Sequence, residues 1–242
     1  MLLRLLALLV CVSTARSVAA THLESGQARV SLLELYTSEG CASCPPAEGW
    51  LSQHYGGTLG WHSVVPIAFH VDYWDQLGWR DRFAKREFTV RQQTYSANWN
   101  SGSVYTPCFV LNGREWQGWF RGGILSTDSP VIVGNLEATI TGDAVDIRFT
   151  PAIKPKDYVV FVAPLVMQAA SDVRAGENTG RHLNHDFVAL SLTSAKMQQS
   201  RDSAFAVSLV VSTARARAIA IWVTQEHSLV PIQALGGLVE AP

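Results

Sequence analysis

Cysteine is scarce in this 242-residue chain, charge is sparse, and no apolar run outside the first twenty residues is long. Four cysteines, Cys11, Cys41, Cys44 and Cys108, are too few for a loop-rich secreted mini-fold stapled by several bridges. No stretch after residue 20 reaches the roughly 20 apolar residues that a membrane-spanning helix needs. The 19 Lys plus Arg against 20 Asp plus Glu leave a formal net charge of −1. Without a clustered basic face the chain lacks the footprint of a nucleic-acid binder. Internal repeats and low-complexity segments are absent as well.

The N-terminus has the form of a leader. Arg4 supplies a short basic region, residues 5–12 are almost unbroken apolar sequence, and Val18-Ala19-Ala20 offers the small residues of a cleavage site. Residues 1–20 therefore read as a secretory signal peptide, and the mature chain is expected to be periplasmic or secreted, with no membrane association once the signal is gone. Its loss removes Arg4 and Arg16, lowering Lys plus Arg from 19 to 17 against 20 acids, a net charge of −3. The 222 residues left are ample for one or two packed domains. Cys11 leaves with the signal, and an odd count of three cysteines in an exported chain flags a free or exchanging thiol.

Two textures follow. Up to about residue 140, strand-like and helix-like segments alternate. Residues 30–36 and 64–71 read as strands, 45–54 and 81–98 as helices, the second with Phe83, Val90 and Tyr95 facing inward. Residues 108–111 and 115–119 flank Asn112-Gly113, a strong hairpin signal, and 126–140 reads as a closing helix. This β-α-β-α-β-β-α order predicts an α/β layer structure. After residue 142 the segments 144–149, 158–166, 187–192, 204–211 and 218–224 are short and β-rich, which predicts a sandwich-like region. The expected division is thus 21–141 and 142–242. Seven of the eight tryptophans fall in the first part, as packing residues or as an aromatic wall around a cleft.

The chemistry concentrates at Cys41-Ala42-Ser43-Cys44-Pro45-Pro46. A strand ends just before this segment, and the prolines suit a first helical turn, where amide donors lack partners anyway. Amides at a helix start favour a thiolate, so Cys41 is expected to be the exposed attacking thiol and Cys44 the resolving one. A static disulfide and half of a metal site compete with this reading. A zinc ribbon would need a second Cys-x-x-Cys or paired histidines at ligand spacing, which the sequence lacks. Pro107 stands directly before a strand that runs into the hairpin, where a cis Thr106–Pro107 bond would let the backbone approach a bound chain. Cys108 follows, either as a third exchanging thiol or as a buried core residue. Glu34, in the strand before the motif, is a candidate partly buried carboxylate for proton transfer or else an ion-pair member. His70 reads as a hydrogen-bonded loop histidine, His182 and His185 as surface residues.

With these segments in place, the first half resembles a thioredoxin-like domain. The whole chain resembles an exported bacterial thioredoxin-like family catalogued as a domain of unknown function. The segments that carry the resemblance are Tyr36-Thr37-Ser38-Glu39-Gly40-Cys41-Ala42-Ser43-Cys44-Pro45-Pro46-Ala47, His70-Val71-Asp72-Tyr73-Trp74-Asp75-Gln76-Leu77-Gly78-Trp79, Tyr105-Thr106-Pro107 and Gly176-Glu177-Asn178-Thr179-Gly180-Arg181. The resemblance implies a fold and a site, with Thr106-Pro107 beside the cysteine pair, and no defined activity. Cys108 departs from its pattern.

The sequence thus leads to an expected thiol–disulfide oxidoreductase needing no cofactor, with a thiol- or disulfide-bearing protein or a small thiol as partner. The rivals are a non-catalytic exported binding protein stapled by Cys41–Cys44, and a copper or zinc carrier using those cysteines with His70 or Cys108.

Overall fold

A computed structural model describes residues 19–55, 60–123, 125, 131–153 and 157–239. All but the last two residues of the expected signal peptide lie outside the described residues. In chain order the elements are β1 (Thr21–Glu24), β2 (Ser31–Thr37), α1 (Cys44–Tyr55), β3 (Val64–His70), α2 (Arg86–Asn98), β4 (Cys108–Leu111) and β5 (Arg114–Glu115). There follow β6 (Gly134–Thr141), β7 (Ala144–Pro151), β8 (Tyr158–Val166), β9 (Ala169–Asp172), β10 (His182–His185) and β11 (Val188–Ala189). The last are β12 (Thr193–Lys196), β13 (Gln198–Gln199), β14 (Phe205–Val210), β15 (Ala218–Gln225) and β16 (Pro231–Leu238). No helix among the described residues is long and apolar enough to cross a membrane.

The expected α/β thioredoxin-like domain followed by a β-rich region is not what forms. The protein is mostly β-sheet, with two α-helices among the described residues. A nine-stranded mixed sheet runs β16-β15-β8-β11-β3-β2-β4-β5, with β12 also paired to β8. Only two of its neighbouring pairs, β2–β3 and β3–β11, are parallel. The short β11 sits between β3 and β8 and so continues one sheet into the C-terminal half. The boundary expected near Gly142 falls in the tight turn of the β6–β7 hairpin.

The expected closing helix is overturned at residues 134–140. This stretch contains good helix formers, but its burial alternates, with Leu136, Ala138 and Ile140 buried between half-exposed neighbours. That is the period of a strand. As β6 it pairs with β1 and β7 in a five-stranded antiparallel sheet, β1-β6-β7-β14-β13. Residues 126–130 of that expectation lie outside the described residues. The second helix begins at Arg86, five residues later than expected, and Val90 faces solvent while Tyr95 is buried.

Two apolar clusters account for the layers. One face of β8 and β15, through Tyr158, Val160, Val162, Ile219, Ile221 and Val223, packs on Leu136, Ile147 and Phe149 of the five-stranded sheet. The opposite face, with Ala163, Leu165, Ala220 and Trp222, joins the cluster that holds β2, β3 and the buried sides of α1 and α2. A strand covered on both faces reads as continuous apolar sequence, and the residues of β8 show this. Burying a Leu, Val or Phe side chain of this kind contributes roughly 1.5–3 kcal/mol.

Candidate functional site

The cysteine loop starts where β2 ends. Ser38 shapes it: its Oγ accepts from Gly40 N at 3.1 Å, and its carbonyl accepts from Cys41 N at 3.1 Å. A Cβ on Gly40 would lie 3.2 Å from Cβ of Trp74, so glycine lets Trp74 pack against the loop. Cys44 N donates to the Cys41 carbonyl at 3.2 Å, and α1 begins at Cys44 with Pro45 and Pro46 in its first turn. Cys41 and Cys44 form a disulfide with Cα atoms 5.4 Å apart. Both cysteines are buried, Cys41 at 0% exposure. Cys41 is therefore not the exposed thiol at the helix start that the sequence suggested. The helix starts three residues later, and another part of the chain covers the pair.

That cover comes from residues 176–181. Nδ2 of the buried Asn178 donates to the carbonyls of Glu39 and Cys41, each at 2.9 Å. Arg181 Nη1 holds the Asn178 side chain by donating to its Oδ1 at 2.8 Å. Glu177 Oε2 accepts from Ala42 N at 2.9 Å. The Thr106–Pro107 bond is cis. Trp74 links it to the cysteine loop, since its Cβ lies against Gly40 while its indole Nε1 donates to Thr106 Oγ1 at 2.8 Å. Residues quoted from four separated segments thus meet at one place.

The other sequence candidates lie elsewhere. Glu34 is buried in an ion pair with Arg91, at 2.8 Å from Nε and 3.0 Å from Nη2, and accepts from Tyr36 Oη at 2.8 Å and Tyr95 Oη at 2.6 Å. The Arg91 guanidinium also lies over the rings of Phe69, Tyr95, Phe161 and Trp222. The donors of Arg91, Tyr36 and Tyr95 together saturate the Glu34 carboxylate. Cys108 is a free, buried thiol directly opposite Tyr36 in the β2–β4 ladder, so its side chain shares the face of Tyr36 and Glu34. Burial pushes its pKa up to about 12.

A buried cluster of charge escaped the sequence reading. His185 is not a surface residue: it shares the buried side of β10 with Leu183, while His182 and Asn184 are exposed. His185 Nδ1 lies 2.5 Å from Glu48 Oε2, and its Nε2 lies 3.4 Å from Glu39 Oε1 without hydrogen-bond geometry. Thr37 Oγ1 donates to Glu48 Oε1 at 2.6 Å, and Trp79 Nε1 to Glu39 Oε2 at 2.7 Å. His70 is the last residue of β3 and contacts Asp81 Oδ2 through Nδ1 at 2.6 Å; the same carboxylate oxygen accepts from Glu39 N at 2.9 Å. The two imidazole rings are 5.3 Å apart at an edge-to-face angle. Burial alone would lower the pKa of His185, but the hydrogen bond to Glu48 and the nearby carboxylates of Glu39 and Glu48 outweigh it and raise the value to about 10. His70 is raised in the same way: burial opposes, and the Asp81 carboxylate prevails. Burial would raise Glu39 and Asp81, yet His185 and His70 respectively bring both below the ordinary carboxylate value. Two sequence signals pointed here: acids directly after a buried strand at residues 70–81, and the alternation at residues 182–185.

The X-ray structure of a protein from Agrobacterium tumefaciens is similar to this chain at 27% identity and a TM-score of 0.67, covering 89% of this chain and 97% of that one. HBP35 of Porphyromonas gingivalis shares the fold at 15% identity and a TM-score of 0.56, over 90% of this chain and 77% of that one. No curated protein matches the chain. A family model described as protein of unknown function matches residues 32–224, a span that takes in the disulfide, the cis-proline loop and the buried histidines, and the chain thereby belongs to that family, DUF1223.

Proposed function

We propose that this protein is a thiol–disulfide redox protein working outside the cytoplasm, with Cys41–Cys44 as its redox centre. The observation that carries the reading is the junction made by Trp74, which packs on the cysteine loop and hydrogen-bonds Thr106 of the cis-proline loop. A partner chain laid along Thr106 would have its own sulfur beside the pair. In the oxidising direction for the protein, the Cys41 thiolate attacks one sulfur of the partner disulfide. A mixed disulfide forms and the first partner thiolate leaves. The Cys44 thiolate then attacks the Cys41 sulfur, which releases the second partner thiolate and regenerates the Cys41–Cys44 bond. Two electrons pass from the protein to the partner, and the protons of Cys41 and Cys44 balance the two thiolates released. A partner thiol or small thiol drives the reverse.

The burial of both sulfurs favours a second reading, an exported binding protein in which the disulfide is a static staple. A Cys44→Ser variant separates the two. With oxidised glutathione it accumulates a glutathione adduct at Cys41 if the centre exchanges, while the native chain resolves the adduct and forms its own disulfide. Mass spectrometry that finds no adduct on the folded variant sinks the redox reading.

A further inference from the structure

We propose that Glu48, His70 and His185 bind one divalent cation of the zinc class. They come from α1, the end of β3 and the end of β10, so the bound ion would tie together three elements far apart in sequence. All three are buried, and one ligand atom from each lies within 4.8 Å of the others. A tetrahedral ion with bonds of about 2.0–2.2 Å needs its donors roughly 3.4 Å apart, so His185 Nδ1 and Glu48 Oε2, 2.5 Å apart, open by about an ångström to admit it.

The shell behind these ligands is already built. A metal-binding imidazole is oriented by a carboxylate on its other nitrogen. Nδ1 of His70 meets Asp81 at 2.6 Å, which leaves Nε2 for a ligand, and that nitrogen has no hydrogen-bond partner although the residue is wholly buried. A buried unpaired polar atom is costly, and a cation at Nε2 removes the cost. His185 offers Nδ1, now bonded to Glu48 Oε2. A cation entering between those two atoms takes the place of their shared proton. His185 Nε2 can then donate to Glu39 Oε1, 3.4 Å away and itself without a partner. Thr37 fixes the other oxygen of Glu48. Two imidazoles and one carboxylate suit zinc and leave a fourth position for water or another ligand atom. No thiolate is needed, which separates this site from a carrier built on Cys41 and Cys44.

The test uses the full oxidised chain, whose Cys41–Cys44 disulfide blocks both thiols, after treatment with a chelator. Titration calorimetry with zinc chloride is expected to give one ion per chain. Cobalt(II) in place of zinc is expected to show d–d absorption of a nitrogen–oxygen site with no thiolate charge-transfer band. His70→Ala should weaken zinc binding by at least a hundredfold, Asp81→Asn by about 10–100-fold, and the exposed His182→Ala not at all. Should His70→Ala fail to fold by circular dichroism, the cobalt spectrum of the native chain decides alone. Absence of stoichiometric binding at millimolar zinc, or a cobalt spectrum that appears only after the disulfide is reduced, overturns the proposal.

Discussion

Cys108 is the residue whose surroundings decide its chemistry most clearly. It lies in the core at 3% exposure, and burial holds its thiol pKa at about 12 against the ordinary 9.0. Iodoacetamide at pH 8 should therefore leave Cys108 unlabelled in the folded protein and label it once denaturant is added; rapid labelling without denaturant would refute its placement. The pKa also sets a sign for stability. A thiol raised in the folded state contributes stability that is present below pH 9 and is lost as pH rises toward 12, because the unfolded chain ionises first. The slope is about 1.4 kcal/mol per pH unit. Urea unfolding midpoints of the native chain should fall with pH in this window more steeply than those of Cys108→Ala, and parallel curves would contradict the assignment. Glu34 and Arg91 make a second prediction at this scale. Arg91→Ala leaves a buried carboxylate without its cation and should cost about 3–5 kcal/mol in denaturant unfolding. A loss below 1 kcal/mol would mean that solvent reaches Glu34.

Among the elements, β2, α1, β3, β4, the hairpin turn, β7, β8, β14 and β15 were legible in the sequence because each signal is local. Asn112 and Gly113 take positive φ angles of 48° and 82°, as their hairpin turn requires. The cis bond at Pro107 was legible only from its place before a strand taken together with the cysteine pair and the order of elements. The rest depends on distant partners. Residues 134–140 include the helix formers Leu136, Glu137 and Ala138, but Leu136, Ala138 and Ile140 alternate with polar residues, and pairing with β1 and β7 makes the stretch a strand. β16 was missed because Gly236 and Gly237 weaken any strand pattern. A Cβ at either would lie 2.4 Å from the Trp61 ring or 2.6 Å from Leu23, so their absence of side chain serves packing that no local pattern reveals. His185 was misplaced for the same reason, since its partners Glu39 and Glu48 are more than a hundred residues away. The covering segment at residues 176–181 was recognised as a motif but not as a lid on the cysteines. Its contribution is measurable. Asn178→Ala removes both hydrogen bonds to the cysteine-loop carbonyls, each worth about 0.5–1.5 kcal/mol. Reduction of Cys41–Cys44 by dithiothreitol should then be about tenfold faster, and an unchanged rate would show that the segment does not limit access.

For the whole molecule, the joining strand matters most. β11 holds β3 beside β8, so the sheet that carries the cysteine loop extends into the C-terminal half, and both faces of β8 and β15 are buried against different layers. A fragment of residues 21–141 lacks β8, β11, β15 and β16 and should not give dispersed amide resonances by NMR; a folded fragment would contradict the shared sheet as a requirement. The same architecture brings Asn178 and His185 to a loop that starts at residue 38, so the environment of the disulfide is assembled by both halves. The central claim is that this assembled disulfide is a redox centre, and the measurement that tests it most directly is its reduction potential in glutathione buffers. Structural disulfides lie below about −300 mV. The account predicts a value above that limit, and a value well below it would contradict the claim and leave Cys41–Cys44 a staple.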